Sequence, residues 1–193
     1  MLIQSSRSLL KTSSQCKIIP IIESRLQFSQ VFDSSQINSI LLRHCNLFDF
    51  TTLLEAAQER ALSVYVNIDH IDGIHADSAG LRYLAESLKV NGIISNNSRT
   101  LSVGKDCGLE TIQRIFAVDS TGLEMALDSV DTHYVDVLDI SPGLVVPYIT
   151  AQTIAQLPLP FIASGLIHTP QQVRAVLQAG AIGVAVNRPE LWL

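Results

Sequence analysis

The sequence predicts a compact α/β fold, the (β/α)8 barrel of the TIM type, on three observations. Short apolar runs alternate along the chain with amphipathic stretches of helical spacing, and eight such runs can be counted. Most of the runs are apolar throughout, as in parallel strands that are covered on both faces. Each strand–helix unit has about 22 residues, enough for a strand, a helix and two tight turns. Eight is the number of strands that closes into such a ring.

The eight strands are expected in order along the chain, beginning at Lys17. Their predicted ranges are residues 17–23, 39–44, 63–69, 92–96, 111–116, 134–140, 160–164 and 181–186.

Residues that are typical of helix starts lie between these runs. Their side chains favour a helix start because they can accept hydrogen bonds from the free N–H groups of the first helical turn. Gly180 suits the end of the last long helix. The predicted caps are Thr52 with Glu55, Asp77, Asp119 or Ser120, and Thr169 with Pro170 and Gln172.

An open, doubly wound sheet is the alternative fold. It is disfavoured because no glycine-rich dinucleotide fingerprint follows the first strand. No domain linker interrupts the repeating units, so residues 17–193 are expected to form a single barrel domain, preceded by a lead-in segment at residues 1–16.

Composition limits the class of protein. The 193 residues are 47% hydrophobic and 16% charged, with a formal net charge of -5. No apolar run approaches the ~18 residues of a membrane span, and three scattered cysteines suit neither a disulfide framework nor a zinc site. We therefore expect a cytoplasmic protein without a membrane partner. The acidic balance argues against a nucleic-acid coat protein, although residues 1–22 hold Arg7, Lys11 and Lys17 and no acid.

Polar residues collect at the predicted carboxyl ends of the strands, where barrels place their sites. Burying them is costly unless a pocket or a hydrogen-bond partner uses them. Asp69 and Asp139 are candidate acceptors for ligand hydroxyls. The loops after the last two strands, where barrels commonly bind phosphate, are the candidate phosphate site. The candidate ligand-binding residues are Asp69, Ser95, Arg114, Asp139, Gly143, Ser164, Gly165, Asn187 and Arg188.

Gln113 and Arg114 are adjacent on one strand and must face opposite ways. An inward Arg114 would suit a phosphate or a carboxylate, or it would form a structural ion pair with Asp69 or Asp139. Both interpretations stay open. His44 and His70, without a nearby cluster of acids or cysteines, are expected to be satisfied imidazoles, so no metal site is predicted.

Several motifs occur in a fixed order along residues 17–192. They include Asn67-Ile68-Asp69-His70-Ile71-Asp72-Gly73, Thr111-Ile112-Gln113-Arg114-Ile115-Phe116, Pro142-Gly143, Ala163-Ser164-Gly165 and a terminal Glu190-Leu191-Trp192. The ordered set resembles the glycerol uptake operon antiterminator family. The resemblance implies a barrel that binds glycerol 3-phosphate and leader mRNA and has neither a catalytic residue nor a cofactor.

The chain departs from the family pattern at the pocket rim. Asn96-Asn97 replaces the family's Thr-Lys, and Ala185-Val186-Asn187 replaces its Ser-Thr-Ser. Arg188 would restore a positive charge near the second change.

The function expected from the resemblance is a transcription antiterminator that responds to glycerol 3-phosphate or a similar phosphorylated polyol. Leader mRNA would be its second partner, and a homo-oligomer is compatible with this role. A sugar-phosphate isomerase or aldolase is the alternative, weakened because no lysine follows a strand end for a Schiff base. A degenerate member kept only for oligomer contacts is a third hypothesis.

Overall fold

The computed structural model describes residues 8, 9, 17–31 and 36–192. Its eight parallel strands close into a barrel in sequence order, which confirms the predicted fold. The strands are β1 (Ile18–Ile22), β2 (Ser39–Leu42), β3 (Ser63–Asn67), β4 (Gly92–Ser95), β5 (Glu110–Phe116), β6 (Val137–Ser141), β7 (Phe161–Ser164) and β8 (Gly183–Val186).

Two apolar clusters hold this barrel together. Alternate side chains of each strand fill its interior, where Tyr65 is the largest. The intervening side chains, such as Val66 and Ile93, face outward and pack under the helices. Because both strand faces are buried, most positions in the strands are apolar, as the sequence indicated. The interior cluster consists of Ile19, Ile21, Leu41, Tyr65, Ile94, Ile112, Val137, Ile162 and Ala185.

Seven α-helices flank the strands in the part of the chain that the structure describes. They are α1 (Arg25–Val31), α2 (Leu47–Glu59), α3 (Ser78–Arg82), α4 (Ser98–Asp106), α5 (Ser120–Asp128), α6 (Ala151–Ala155) and α7 (Pro170–Gln178). Helix α3 continues into a π-helical turn, and 3-10 turns follow β3, β6 and β8. Among the described residues, no helix has the length and apolar character that crossing a membrane requires.

Three of the predicted helix caps are confirmed. The side chains of Asp77 and Asp119 accept from Gly80 and Gly122, and Thr169 forms a complete capping box with Gln172. The predicted cap at Thr52 is wrong, because α2 begins nearly two turns earlier, at Leu47. Its start is set by Asn46, whose side chain accepts from the Asp49 N–H, so Thr52 and Glu55 lie inside the helix.

The amino-terminal end of the barrel is closed by residues of the lead-in segment. The Leu9 N–H donates to the Tyr65 hydroxyl at 3.0 Å and to the Glu110 carboxylate at 3.2 Å. Ser8 donates to the same carboxylate at 2.6 Å, and Leu9 packs on the interior cluster. Arg7 and Lys11, two of the three cations of the predicted basic segment, lie outside the described residues. Lys17 precedes β1, at this same closed end.

Candidate functional site

The open end of the barrel, where the strands finish, carries a polar layer above the apolar interior. On β5 the side chain of Ile112 fills the interior, so that of Arg114, two residues later, faces the same way and that of Gln113 faces the helices. The same alternation places Asp139 above Val137 and Ser164 above Ile162. Three of the predicted site residues therefore meet inside the mouth.

Arg114, Asp139 and Ser164 form one connected group. The Arg114 Nε donates to Asp139 Oδ2 at 2.9 Å, and the Ser164 hydroxyl donates to the same oxygen at 3.0 Å. Nη2 of Arg114 also lies 2.8 Å from that oxygen. The Asp139 side chain is 0% exposed and that of Arg114 is 10% exposed. Of the two partners that the sequence allowed for Arg114, the structure selects Asp139.

Some hydrogen-bonding atoms in and beside this group have no hydrogen bond. Asp139 Oδ1 and Asn67 Nδ2 are buried without a hydrogen-bonding partner among the described residues, and Arg114 Nη2, although 2.8 Å from Asp139 Oδ2 in the ion pair, makes no hydrogen bond of good geometry there. Asn67 follows the inward-facing Tyr65 on β3 by two residues and is 1% exposed. Leaving a buried donor or acceptor unpaired costs about 1–3 kcal/mol. Two donors and one acceptor in this state provide hydrogen-bonding groups that a polar ligand in the mouth would use.

Two histidines border this layer. The Asn67 side-chain oxygen lies 3.1 Å from Nδ1 of His70, and the His70 ring meets that of His44 edge-on with centroids 4.8 Å apart. Burial lowers the pKa of His70 below its ordinary value, and the nearby His44, Arg114 and Arg43 lower it further, while Asp69 opposes them. Neutral His70 is therefore favoured where it contacts Asn67.

The loops after β7 and β8 are neighbours, because Ser164 pairs in register with Ala185. Gly165 and Leu166 both have left-handed backbone angles, with φ of 87° and 58°. Within the described part of the chain, neither of their N–H groups donates a hydrogen bond. These amides are accordingly available to an anion, which is the property expected of the phosphate loop.

Asn187 and Arg188, the predicted residues of the second loop, each contact a glutamate. Asn187 Nδ2 lies 3.5 Å from Glu23 Oε2, and Glu23 is ion-paired with Arg43 at 2.6 Å. Arg188 Nη1 lies 3.2 Å from Glu190 on the surface. The guanidinium of Arg188 therefore has an acidic partner on its own 3-10 turn.

The remaining predicted residues have structural partners. The Asp69 carboxylate accepts from the Ser95 hydroxyl at 2.7 Å and from the Asn96 N–H at 3.1 Å, which joins the turn after β3 to the end of β4. Ser95 faces away from the interior, since Ile94 before it faces in. Gly143 packs against β7, where an added Cβ would lie 2.8 Å from Ile167 Cδ1 and 3.0 Å from the Ser164 amide nitrogen.

Sequence reasoning did not select Asn67 or Arg43, although both follow the same logic as Arg114. Each stands two residues after an inward-facing strand side chain, Tyr65 and Leu41 respectively. Continuing the alternation of each strand by one step would have placed both in the mouth. Among the described residues, no three His, Cys, Asp or Glu side chains are grouped so as to hold a metal ion.

Residues 18–192 match the sequence profile of the glycerol-3-phosphate responsive antiterminators. The chain belongs to this family. It is 22% identical over 185 residues to the uncharacterized protein YgcP of Escherichia coli, and the match covers 95% of each.

Two solved structures of similar proteins share the fold. One is the glycerol uptake operon antiterminator regulatory protein of Listeria monocytogenes, with a TM-score of 0.84 and 24% identity, covering 94% of this chain and 97% of that one. The other is a glycerol uptake operon antiterminator-related protein of Thermotoga maritima, with a TM-score of 0.79 and 22% identity over 92% and 98% of the two chains.

Proposed function

We propose that this protein is a cytoplasmic transcription antiterminator that binds glycerol 3-phosphate, or a similar phosphorylated polyol, in the mouth of its barrel. When loaded with this ligand it would bind a leader mRNA and promote expression of glycerol-utilisation genes. The observation that carries the ligand half of the proposal is the set of three buried, unpartnered polar atoms on Asn67, Arg114 and Asp139.

These atoms suit the polyol part of such a ligand. A hydroxyl both donates and accepts, so it can bond to the Asp139 Oδ1 acceptor and to a donor from Asn67 or Arg114. Hydrogen bonds to these groups should give a net gain in binding free energy. The groups are already removed from water in the free protein, so the ligand does not have to displace water from them.

The phosphate would bind to the backbone of the loop after β7. The free N–H groups of Gly165 and Leu166 suit a dianion. In this arrangement phosphate binding does not require the hydroxyl groups that the family has at the end of β8 and that this chain lacks at Ala185-Val186-Asn187. The guanidinium groups of Arg114 and Arg43 are each paired with a carboxylate, Asp139 and Glu23 respectively.

The regulatory role is favoured over the enzymatic alternative by the chemistry of the mouth. The described lysines are Lys17, Lys89 and Lys105. Lys17 and Lys89 precede strands. Lys105 pairs with Asp136 near the amino-terminal end of β6. None of these follows a strand end, where a Schiff-base aldolase needs its amine. Asp139, the most buried carboxylate of the mouth, is held by Arg114 and Ser164.

Isothermal titration calorimetry with glycerol 3-phosphate, glycerol and inorganic phosphate tests the ligand. We expect the phosphorylated polyol to bind at least about tenfold more tightly than either fragment, since both halves of the site must contribute. Equal affinity for inorganic phosphate would contradict the polyol site. Turnover of a triose or pentose phosphate would contradict the regulatory role.

A further inference from the structure

We propose that the outer cleft between α4 and α5 binds a nucleobase of single-stranded RNA. This inference rests on the proposed function, because it assigns a place to the RNA partner. The cleft has a volume of about 550 Å³ and lies beside the carboxyl end of β5, where residues from both sides of the strand line it. Its lining includes Asn96, Asn97, Ser98, Gln113, Phe116 and Ser129.

Gln113 supplies the hydrogen-bonding group of this cleft. It lies on the opposite side of β5 from Arg114 and is only 5% exposed. Its Oε1 is buried without a partner among the described residues. An unpaired amide oxygen in a cleft calls for a donor from outside, and the exocyclic amino groups of adenine, cytosine and guanine are planar donors of this kind.

Phe116 supplies an aromatic surface at the end of β5. It lines the cleft, yet it is 50% exposed, which is high for so large an apolar side chain. Exposed aromatic rings in nucleic-acid-binding proteins stack on unpaired bases, and such stacking tolerates different sequences. The pairing of a stacking ring with one buried acceptor matches a base better than it matches an aliphatic ligand.

The first turn of α4 supplies a position for the backbone phosphate. Asn97 caps the helix by accepting from the Arg99 and Thr100 N–H groups, and Ser98 lines the cleft. Helix amino termini attract anions. Arg99 is exposed on this turn and forms no ion pair with any residue in the described ranges.

The cleft is physically connected to the mouth. Arg114 lines the cleft and also bonds to Asp139 inside the barrel. Asp69 holds Ser95 and Asn96, and the Ser95 hydroxyl accepts from the Asn97 N–H at 3.0 Å. A ligand that moves the turn after β3 would therefore also move the rim of the cleft, which offers a route for ligand-dependent RNA affinity.

Fluorescence anisotropy with labelled oligo(A), oligo(C) and oligo(U) of equal length, with and without saturating glycerol 3-phosphate, tests the cleft. We expect Phe116→Ala to weaken oligo(A) binding at least about fivefold, the lower bound for losing one stacked base. Gln113→Met should remove a preference for oligo(A) and oligo(C) over oligo(U), since uracil lacks the amino donor. The melting temperature of the Gln113→Met variant should not fall, because the change deletes an unsatisfied buried acceptor.

Tyr148→Ala is the matched control, because Tyr148 is 85% exposed and does not line the cleft. Cleft variants that bind like the wild type, or a loss equal to that of the control, would overturn the proposal. AMP competing as well as oligo(A) would overturn it in favour of a free nucleotide. Calorimetry with glycerol 3-phosphate on the same variants separates the two proposals, since Phe116→Ala should leave that affinity unchanged.

Discussion

Arg114 and Asp139 are register partners on adjacent strands, and the ion pair between them lies inside the barrel with Nε 2.9 Å from Oδ2. Oδ2 of Asp139 accepts hydrogen bonds from both Arg114 and Ser164. Oδ1 has no partner among the described residues. A purely structural pair would be expected to satisfy both oxygens. The unused oxygen is the acceptor that the proposed ligand would engage.

A double variant separates the structural role from the ligand-binding role. Replacing both partners, as Arg114→Met with Asp139→Leu, should leave the free energy of unfolding unchanged or raise it by ~1–4 kcal/mol, because both desolvation costs disappear. Glycerol 3-phosphate binding should fall at least about tenfold, since charge-assisted hydrogen bonds are lost. Urea melts and calorimetry measure the two quantities.

The single variant Asp139→Leu is its control and should destabilise by about 3–5 kcal/mol, because it leaves a buried guanidinium unpaired. A double variant that is stable and binds the ligand like the wild type would show that the pair is structural only.

Asn67→Asp tests the third unpartnered atom. The change replaces the buried Nδ2 donor, which has no partner among the described residues, with an acceptor of the same size. We expect ligand affinity to fall about tenfold, as the loss of one good hydrogen bond implies. Asn38→Asp provides a comparison with no expected effect on binding, because the Asn38 side-chain amide donates to the Gln36 carbonyl oxygen, away from the mouth.

Gly165→Ala tests the proposed phosphate loop. With φ of 87°, an alanine there should cost about 1–2 kcal/mol of stability. Gly108, with φ of 81° at the opposite end of the barrel, should show a similar cost when replaced by alanine. Only Gly165→Ala should weaken glycerol 3-phosphate binding. Equal ligand affinity in the two variants would exclude this loop from the site.

Stability should depend on pH through His70. Its pKa is lowered in the folded protein, so protonation favours the unfolded chain. The stabilising effect is complete above the unfolded value near 6.5 and is lost as pH falls through the lower folded value. Unfolding free energies measured on either side of pH 6.5 should therefore diverge more in the wild type than in His70→Gln.

His44→Gln should reduce this divergence, because His44 contributes to lowering the pKa of His70. The same pH dependence in all three proteins would contradict the assignment.

The fold could be predicted because its signals are local and repeated. Parallel strands buried on both faces must be apolar, and a capping box such as Thr169 with Gln172 specifies a helix start within four residues. The error at Thr52 has the same origin. Asn46 is an equally good cap, and a helix that begins there includes the buried residue Phe50, which a start at Thr52 would leave out.

The site was harder to predict, because strand-end residues differ by which face they occupy. Arg114 and Asp139 face inward, whereas Ser95 faces outward, and that depends on where each strand's alternation starts. The two oxygens of Asp69, a predicted acceptor for a ligand hydroxyl, accept from the Ser95 hydroxyl and the Asn96 amide, and the sequence did not indicate these contacts. Such contacts between residues 26 and 27 positions apart in the sequence arise only once β3 and β4 have paired.

Closure of the ring has a further consequence for how this protein meets other molecules. Every strand from β1 to β8 is hydrogen-bonded to a neighbour on both sides, so none offers a free backbone edge on which a foreign segment could add as a ninth strand. Recognition must then rely on side chains and loop amides. Those groups can change in evolution while the backbone scaffold keeps its shape, which accounts for near-identical architecture at only 22–24% identity.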